Sequence, residues 1–486
     1  MKTRRAFIGG SCAALGLSAF PVGARGAAER PLLRLGVISD AHIGLEDRPD
    51  GAPFDTARNL RRVLKWLDGQ GVEAIAFCGD MAHSGRIDEF RRFADVWRAA
   101  FPGDCGADGR RVEKLLITGN HCIGGWPGRW NGVDEARQRE ERFDFGDNPQ
   151  RLWPELFGEP WEPVWRKTVK GVTFVGMHWL KPRPPVADFL RARAGSLPSD
   201  RPFFYLQHAH PSGTCHGTYS TSDDGGFAGS FLRGYPNAVA LTGDSHGSLA
   251  DERGVWQGEY TSISSGCIIE GGGNMDYANC NARWHPDWYR RVMRPLDTSD
   301  GASALVIDVY ASRLVCHRWN VASFLPLGKD WIVPIPARTD GPLAFSRRAA
   351  EVRPPEFPAG ACATAEFLPH GTAHTMGEGF RGRAAVAVRF PPAANVGGSR
   401  VFDYVVTANV PGRDPIVRKI LADGFSLPED LSALPGECLF AAEELPKGVP
   451  LVFSVVPRNC WGGAGKAIHA GAVRLPLAGN GENGSV

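Results

Sequence analysis

Five short motifs rich in aspartate, histidine and asparagine follow one another along the first half of the chain. In order, they are Asp40-Ala41-His42, Gly79-Asp80, Gly119-Asn120-His121, Gln207-His208 and Gly243-Asp244-Ser245-His246. Carboxylate and carboxamide oxygens and imidazole nitrogens are ligands for divalent ions such as Mn, Fe, Mg and Zn. Two such ions can clamp an in-line displacement and generate hydroxide at neutral pH. The motifs therefore indicate a metal centre for hydrolysis.

Each motif follows or ends an apolar run that has the composition of a β-strand. Strands are predicted over 32–39, 72–78, 114–118, 202–207 and 238–242, and amphipathic helices over 56–67 and 87–100. Strands that alternate with helices predict parallel βαβ units, and nearly continuous apolar strands indicate a sheet covered on both faces. Because binding sites in α/β sheets gather at the carboxyl ends of the strands, we expect the five motifs to meet there.

The ordered motifs resemble the calcineurin-like metallophosphoesterase superfamily over residues 32–320. That family carries Asp-x-His, Gly-Asp, Gly-Asn-His, a single His and Gly-His-x-His in the same order. One such motif alone is a common turn sequence, whereas the full set at successive strand ends is specific. The resemblance implies an α/β fold in which a double β-sheet sandwich is flanked by helices. It also implies hydrolysis of a phosphomonoester or phosphodiester by hydroxide that two metal ions activate.

The resemblance further implies roles for single residues. The implied metal ligands are Asp40, His42, Asp80, Asn120, His208, Asp244 and His246. Asp40, His42 and His246 would hold one divalent ion, and Asn120, His208 and the first residue of the closing motif would hold the second. Asp80 would bridge the two ions through both of its carboxylate oxygens. His121 would bind no metal and would act as the catalytic general acid that protonates the leaving alcohol.

The closing motif departs from the family pattern, because Asp244 occupies the position of a histidine. A carboxylate can still bind a metal ion, and its charge favours Mn, Fe or Mg over Zn. The alternative is that Asp244 binds no metal and that the second ion is weak or absent. A second ambiguity concerns His208 and His210, since side chains two residues apart point the same way in extended backbone. His208 ends the strand and is the preferred ligand.

Two other residues close to these motifs are weaker candidates. His178 follows a predicted strand and is interpreted first as a packed histidine. Arg253 lies in Asp251-Glu252-Arg253, shortly after His246, where it can approach the phosphate or form a surface ion pair.

The N-terminus has the features of a twin-arginine export signal over residues 1–28. Arg4 and Arg5 precede an apolar stretch rich in small residues, with a possible cleavage site near Ala24 to Ala28. The apolar stretch is too short and too weakly apolar to span a bilayer comfortably. The sequence therefore predicts a periplasmic or secreted protein with no transmembrane segment after signal removal.

The formal charge indicates which partners the protein can bind, and the cysteine content bears on its disulfide bonds. The net charge is +2, and it becomes −2 once the four basic residues of the predicted signal are removed. A mature chain of this charge shows no nucleic-acid-binding surface, and a small phosphorylated substrate is the expected partner. The 11 cysteines are scattered without a framework spacing, so no disulfide pairs are predicted, although an oxidising periplasm permits them.

The chain of 486 residues is long enough for two or three domains. The catalytic domain is predicted over 29–325, and a proline-rich linker over 326–345. Short alternating apolar runs follow between glycine and proline turns, which favours a small all-β sandwich domain over 346–478 and a flexible tail over 479–486.

The most favoured function is therefore a metal-dependent phosphoric ester hydrolase. The alternative is a catalytically decayed cell-envelope binding protein on the same fold, because one metal-ligand position has changed. The other ligand positions and His121 are intact, which argues against decay.

Overall fold

A computed structural model describes residues 29–45, 55–125, 128–215, 223–269, 302–369, 383–397, 400–422 and 424–477. The predicted export signal over 1–28 and the predicted tail over 479–486 lie outside the described residues. Within the described ranges, no helix combines the length and the apolar character needed to cross a lipid bilayer.

The strands of the first region belong to two sheets. In chain order they are β1 (Leu33–Ile38), β2 (Ala74–Cys78), β3 (Glu113–Ile117), β4 (Val164–Val169), β5 (Val172–Met177), β6 (Phe203–Leu206), β7 (Ala238–Thr242), β8 (Val255–Gln257), β9 (Thr261–Ser264), β10 (Ser303–Val309), β11 (Arg313–Asn320), β12 (Leu325–Pro326) and β13 (Trp331–Pro334). The helices that accompany them are α1 (Thr56–Gly69), α2 (Ile87–Ala100), α3 (Glu135–Glu141), α4 (Asn148–Phe157), α5 (Val186–Arg191) and α6 (Gly229–Leu232).

The first sheet has the strand order β12-β11-β10-β1-β2-β3, and β13 also pairs with β11. Strands β1, β2 and β3 are parallel, whereas β10 and β11 are antiparallel additions. The second sheet has the order β4-β5-β6-β7-β9-β8, with β5, β6, β7 and β9 parallel. Strand β10 pairs directly with β1, so β10 and β11 extend the first sheet.

Three apolar cores hold this region together. One core lies between the two sheets and joins residues such as Leu35 and Val37 of β1 to Phe204 and Leu241 of the second sheet. The second core packs α1, α2 and α4 on the first sheet, and the third packs α5 and α6 on the second sheet. The buried face of α1 is the one that the helical spacing predicts. The predicted helix-flanked double-sheet sandwich is thereby confirmed.

The stretch predicted as a linker contains part of the first sheet. Trp331–Pro334 forms β13 and pairs with β11, with Trp331 opposite Cys316. Alternate residues of this strand are buried, namely Trp331 and Val333, while Ile332 is exposed. The prolines around the strand suggested an unstructured connection, but proline is compatible with the ends of an edge strand.

Two further sheets follow helix α7 (Phe345–Glu351). Their strands are β14 (Thr364–Leu368), β15 (Ala385–Phe390), β16 (Val401–Asn409), β17 (Ile416–Leu421), β18 (Gly436–Ala441), β19 (Pro450–Asn459), β20 (Ile468–His469) and β21 (Val473–Arg474). One sheet has the order β14-β15-β18, and the other has the order β17-β16-β19-β20, with β21 paired to β19. A shared core that includes Val388, Phe440 and Phe453 joins them. The predicted C-terminal β-sandwich is confirmed.

Candidate metal centre

The five motifs meet where the parallel strands of the two sheets end. Asp40 lies two residues beyond β1, Asp80 two beyond β2, His208 two beyond β6, and Asp244 two beyond β7. Within each sheet, backbone hydrogen bonds join neighbouring loops: the Asp40 N–H donates to the Gly79 carbonyl at 3.0 Å, and the Gly243 N–H donates to the His208 carbonyl at 2.8 Å. The expected convergence at the strand ends is observed.

Five of these residues have left-handed backbone conformations. Their φ angles are 57° for Asp40, 42° for His42, 52° for Asp80, 64° for Asp244 and 51° for His246. A side chain in this region costs about 1–3 kcal/mol, and such residues cluster at functional sites, where the surrounding structure holds them in place. The strained backbone turns these side chains towards one another instead of into solvent.

The glycines of the motifs allow the side chains to pack this closely. A Cβ atom on Gly119 would lie 2.2 Å from Asp80 Oδ1 and 2.6 Å from His208 Nε2. A Cβ atom on Gly79 would lie 2.2 Å from His208 Nδ1, and the φ angle of Gly79 is +102°. Both positions therefore require glycine, because the ligand side chains occupy the space of a side chain there.

A first group of possible metal ligands consists of Asp40, His42 and His246. Asp40 Oδ1 lies 3.2 Å from His246 Nε2 and 3.7 Å from His42 Nε2, and the two imidazole Nε2 atoms are 3.2 Å apart. All three side chains are buried, and the candidate ligand atoms lie within 4.8 Å of one another. This separation leaves room for one ion among three ligand atoms.

A second group consists of Asp40, Asp80 and His208. His208 Nε2 lies 3.1 Å from Asp80 Oδ2 and 3.9 Å from Asp40 Oδ1. Asp80 Oδ2 also lies 3.6 Å from His42 Nε2, so this oxygen faces both groups. The other oxygen, Oδ1, accepts the backbone N–H of His121 at 2.9 Å. Oδ2 of Asp80 therefore lies near both groups, and bridging of two ions through both carboxylate oxygens stays a prediction.

Asp244 lies at the edge of the second group. Asp244 Oδ1 lies 3.7 Å from His208 Nε2, and its side chain is 23% exposed. The Asp244 N–H donates to Asp40 Oδ2 at 3.2 Å, which places the closing loop against the first motif. Asn120 Oδ1 is buried.

Several buried atoms lack the hydrogen bonds that burial normally requires. Asp40 Oδ1, Asn120 Oδ1 and His208 Nε2 have no hydrogen-bond partner within the described residues. His208 Nε2 is close to Asp80 Oδ2, but the contact does not have hydrogen-bond geometry. Buried polar atoms are otherwise nearly always satisfied. Buried oxygen and nitrogen atoms without hydrogen-bond partners are suitable ligands for a divalent ion. A metal ion bound here would provide the missing partner.

The ionised side chains of the two groups shift one another's pKa values. Burial raises the pKa of Asp80, but the positive charges of His208 and His121 outweigh burial and lower it. Asp40 behaves in the same way: burial raises its pKa, and His246 and His42 lower it well below its usual value. Both carboxylates are therefore anionic, as metal ligands must be.

The histidines of the site fall into two classes, one with a raised pKa and one with a lowered pKa. Burial lowers the pKa of His208, but Asp80 and Asp244 raise it to about 10. The pKa of His246 is also raised despite burial, because Cys267 and Asp40 lie beside it. In contrast, burial and the neighbouring imidazole of His121 lower the pKa of His42 to about 4.

His121 lies beside the first group. Its Nδ1 atom is 2.9 Å from the backbone carbonyl of His83, and its ring centroid is 4.4 Å from that of His42. A carbonyl oxygen only accepts hydrogen bonds, so Nδ1 of His121 carries a proton. Its Nε2 atom is then the one that can exchange a proton with a substrate.

Of the two histidines that the sequence left ambiguous, only His208 joins the metal-ligand groups. Its Nδ1 atom donates to the Cys78 carbonyl at 2.7 Å, which leaves Nε2 for a metal. Both ring nitrogens of His210 instead contact hydroxyl groups, at 2.6 Å from Thr242 Oγ1 and 2.7 Å from Ser245 Oγ. His210 therefore holds the closing loop to β7.

The two weaker candidates lie outside the cluster. His178 is fully buried and stacks on Trp161, with ring centroids 4.1 Å apart. The Arg253 side chain is 3% exposed, pairs with Asp251 and lies over the Phe402 ring of the C-terminal sandwich at 4.9 Å. Its ion pair is therefore buried against the C-terminal domain and is not at the surface.

The sequence analysis missed His83 and Cys267. His83 lies three residues beyond Asp80, and its Nδ1 atom is 3.2 Å from His42 Nδ1. Burial and the neighbouring His42 lower the pKa of His83 to about 3. The spacing from Asp80 within one loop was a signal that could have identified His83. Cys267 lies 227 residues beyond Asp40 in the chain, and only the fold brings it to the site.

Comparison with known proteins finds one family model that matches part of the first region. Residues 33–248 match the family model described as calcineurin-like phosphoesterase. A dimetal phosphatase from Danio rerio is 13% identical, with a TM-score of 0.34, over 63% of this chain and 99% of that one. A purple acid phosphatase from yellow lupin (Lupinus luteus) seeds is 12% identical, with a TM-score of 0.38, over 62% of this chain and 53% of that one. No curated protein matches the chain.

Proposed function

Residues 33–248 match the calcineurin-like phosphoesterase family model, and from this premise we propose that the protein is a metal-dependent phosphoric ester hydrolase with two divalent ions. Its substrate is a small phosphomonoester or phosphodiester. The catalytic domain begins at residue 29 and extends through β13, because β13 pairs with β11, and the β-sandwich domain follows it. The observation that carries the proposal is the convergence of anionic carboxylates and unsatisfied buried ligand atoms on one point between the sheets.

The two groups of side chains suggest how the ions are shared. Asp40, His42 and His246 would hold one ion, and Asn120, His208 and Asp244 would hold the other. Asp80 would contribute to both ions, because its carboxylate lies between His42 and His208. When bound, the ions supply Lewis acidity and make hydroxide available at neutral pH, and the carboxylates among the ligands suit Mn, Fe or Mg as well as Zn.

His121 is proposed as the catalytic general acid. The backbone carbonyl of His83 holds its Nδ1–H, and this contact directs Nε2 away from the loop. A proton on Nε2 can pass to the oxygen of the leaving alcohol as the P–O bond breaks. General acid catalysis of this kind contributes about 10²- to 10⁴-fold to the rate.

We also propose that the protein is exported and that its substrate is a small molecule. The twin-arginine pattern of residues 1–28 supports a periplasmic or secreted location. Export in the folded state suits an enzyme that acquires its metal ions before it crosses the membrane. The mature chain has a formal charge of −2, which does not favour binding to nucleic acid.

The test uses purified protein stripped of metal and reloaded separately with Mn, Fe, Zn or Mg. Hydrolysis of p-nitrophenyl phosphate and of bis(p-nitrophenyl) phosphate is measured for the wild type, His121→Ala and the control His469→Ala, which alters an exposed histidine of the sandwich domain. We expect metal-dependent turnover that falls about 10²- to 10⁴-fold in His121→Ala and is unchanged in His469→Ala. The preferred ester distinguishes a monoesterase from a diesterase.

The competing function is a binding protein that has lost its second metal. The Asp244 carboxylate still faces His208 at 3.7 Å, which favours a retained ligand. Absence of turnover with every metal, together with turnover in Asp244→His, would support the binding protein and contradict the proposed hydrolase.

A further inference from the structure

A pocket lies directly beside the second group of metal ligands. Its walls include Met177 at the end of β5, Trp179 and Leu180 in the following loop, and His208 and Ala209 beyond β6. His208 is therefore shared between the metal-ligand cluster and the pocket. A substrate whose phosphate lies on the metal ions can place an attached organic group here.

Trp179 forms a wall of the pocket beside His208. Its indole ring is perpendicular to the His208 ring, with centroids 6.1 Å apart. The backbone N–H of Trp179 donates to Thr118 Oγ1 at 3.0 Å and to the Thr118 carbonyl at 3.2 Å. Thr118 directly follows β3, so the position of Trp179 is tied to the loop that carries Asn120 and His121. The indole is half-buried, which leaves part of it for contact with a ligand.

The polar residues of the pocket wall are already used within the protein. Gln207 Nε2 donates to the Ala209 carbonyl at 2.8 Å and to Asp224 Oδ2 at 2.9 Å, and Gln207 Oε1 accepts the Tyr205 hydroxyl at 2.9 Å. Asp224 accepts further hydrogen bonds from the backbone N–H groups of Ser212, Gly226 and Ala228. These two side chains consequently have little capacity left for the hydroxyl groups of a ligand.

The remaining polar groups of the wall are cationic. Arg183 donates to the Asp224 carbonyl, and its guanidinium lies 5.0 Å from the centre of the Phe227 ring. Lys181 is exposed at the mouth of the pocket. Positive charge at the entrance suits an anionic phosphoester, while the interior surface is mainly apolar.

We propose that this pocket binds a flat aromatic group that is esterified to the substrate phosphate, and that Trp179 is its main contact. The inference rests on the proposed function, because the phosphate must be bound at the metal ions. A sugar or polyol would lose water on entering the pocket and would find few free partners for its hydroxyls, which is unfavourable. An aromatic ring loses little on leaving water and gains stacking on the indole.

Two inert ligand analogues separate binding from turnover. Phenylphosphonate and 3-hydroxypropylphosphonate carry a C–P bond that a phosphoesterase does not cleave. Their dissociation constants are measured by calorimetry on the metal-loaded full chain. The variants are Trp179→Ala, Trp179→Phe and the control Trp461→Ala, which truncates a half-buried tryptophan of the sandwich domain.

We expect the wild type to bind phenylphosphonate more tightly than the hydroxypropyl compound. Trp179→Ala should weaken phenylphosphonate about tenfold and change the other ligand little, because only the aromatic ligand stacks on the indole. Trp179→Phe should keep most of the preference for phenylphosphonate over the hydroxypropyl compound. Trp461→Ala should keep all of this preference. Equal weakening of both ligands by Trp179→Ala, or no wild-type preference, would overturn the inference. An aromatic preference without turnover of any ester would contradict the proposed hydrolase and leave this pocket assignment standing.

Discussion

The Nδ1 atoms of His42 and His83 lie 3.2 Å apart. One of the two nitrogens must donate and the other must accept. If His42 uses Nε2 to bind a metal ion, its Nδ1 carries the proton, so His83 must be the neutral acceptor. Burial and the neighbouring His42, which lower the pKa of His83 to about 3, maintain that neutral form. His83 thus orients a proposed metal ligand through its side chain and His121 through its backbone carbonyl.

His83→Leu is expected to weaken metal binding. The substitution leaves the His42 Nδ1–H without an acceptor, and loss of such a partner typically lowers metal affinity about 10- to 100-fold. His83→Asn offers an amide oxygen as an acceptor and should recover much of the affinity. Competition with a chromophoric chelator measures both variants. Equal affinities in the wild type and His83→Leu would show that the contact does not position His42.

Gly119→Ala is expected to damage the site through a single methyl group. The added Cβ would meet Asp80 Oδ1 and His208 Nε2 at 2.2 and 2.6 Å, so both side chains must move. We expect a loss of about 1–3 kcal/mol in the free energy of unfolding, together with weaker metal binding. Gly69→Ala is the matched control, because a Cβ there meets no atom within 4 Å. Normal metal content in Gly119→Ala would contradict the packing argument.

Removal of metal is expected to lower the melting temperature. Asp40 and Asp80 are buried anions, and a bound ion stabilises the folded state by about 2.7 kcal/mol at a free concentration 100 times its Kd. For a domain of this size, each kcal/mol corresponds to about 2–4 °C. Differential scanning fluorimetry with and without a chelator measures the shift. Asp80→Asn should respond much less to the chelator, and an equal response would place the stabilising ion elsewhere.

His317 is expected to make stability depend on pH at a position far from the metal-ligand cluster. A hydrogen bond with Asp308 raises its pKa above 6.5 despite partial burial, and Asp330 contributes a further negative charge. A raised pKa in the folded state contributes stability that is fully present below pH 6.5 and is lost as pH rises through the folded-state pKa. His317→Gln should therefore be less stable than the wild type at pH 5.5 and nearly equal at pH 9. Urea unfolding at the two pH values measures the difference, and a difference independent of pH would exclude this role.

The sequence alone was sufficient to predict the elements that carry the site. Apolar runs such as 72–78 and the helical spacing of Leu60, Val63, Leu64 and Leu67 reflect burial against neighbouring layers, which constrains residue type strongly. The motifs were predictable for the same reason: ligand chemistry restricts Asp40 or His208 to few residue types, and their glycines lie where no side chain fits.

Only the tertiary structure decided how distant residues meet. In the folded protein, β10 pairs with β1, and both ring nitrogens of His210 contact hydroxyl groups. Asp80 Oδ1 accepts a hydrogen bond from the backbone N–H of His121. Such choices depend on strand order and on which atom of a side chain faces which neighbour. Residue types along a chain do not encode either of these directly, because the partners lie far apart in sequence and are brought together by packing of the two sheets.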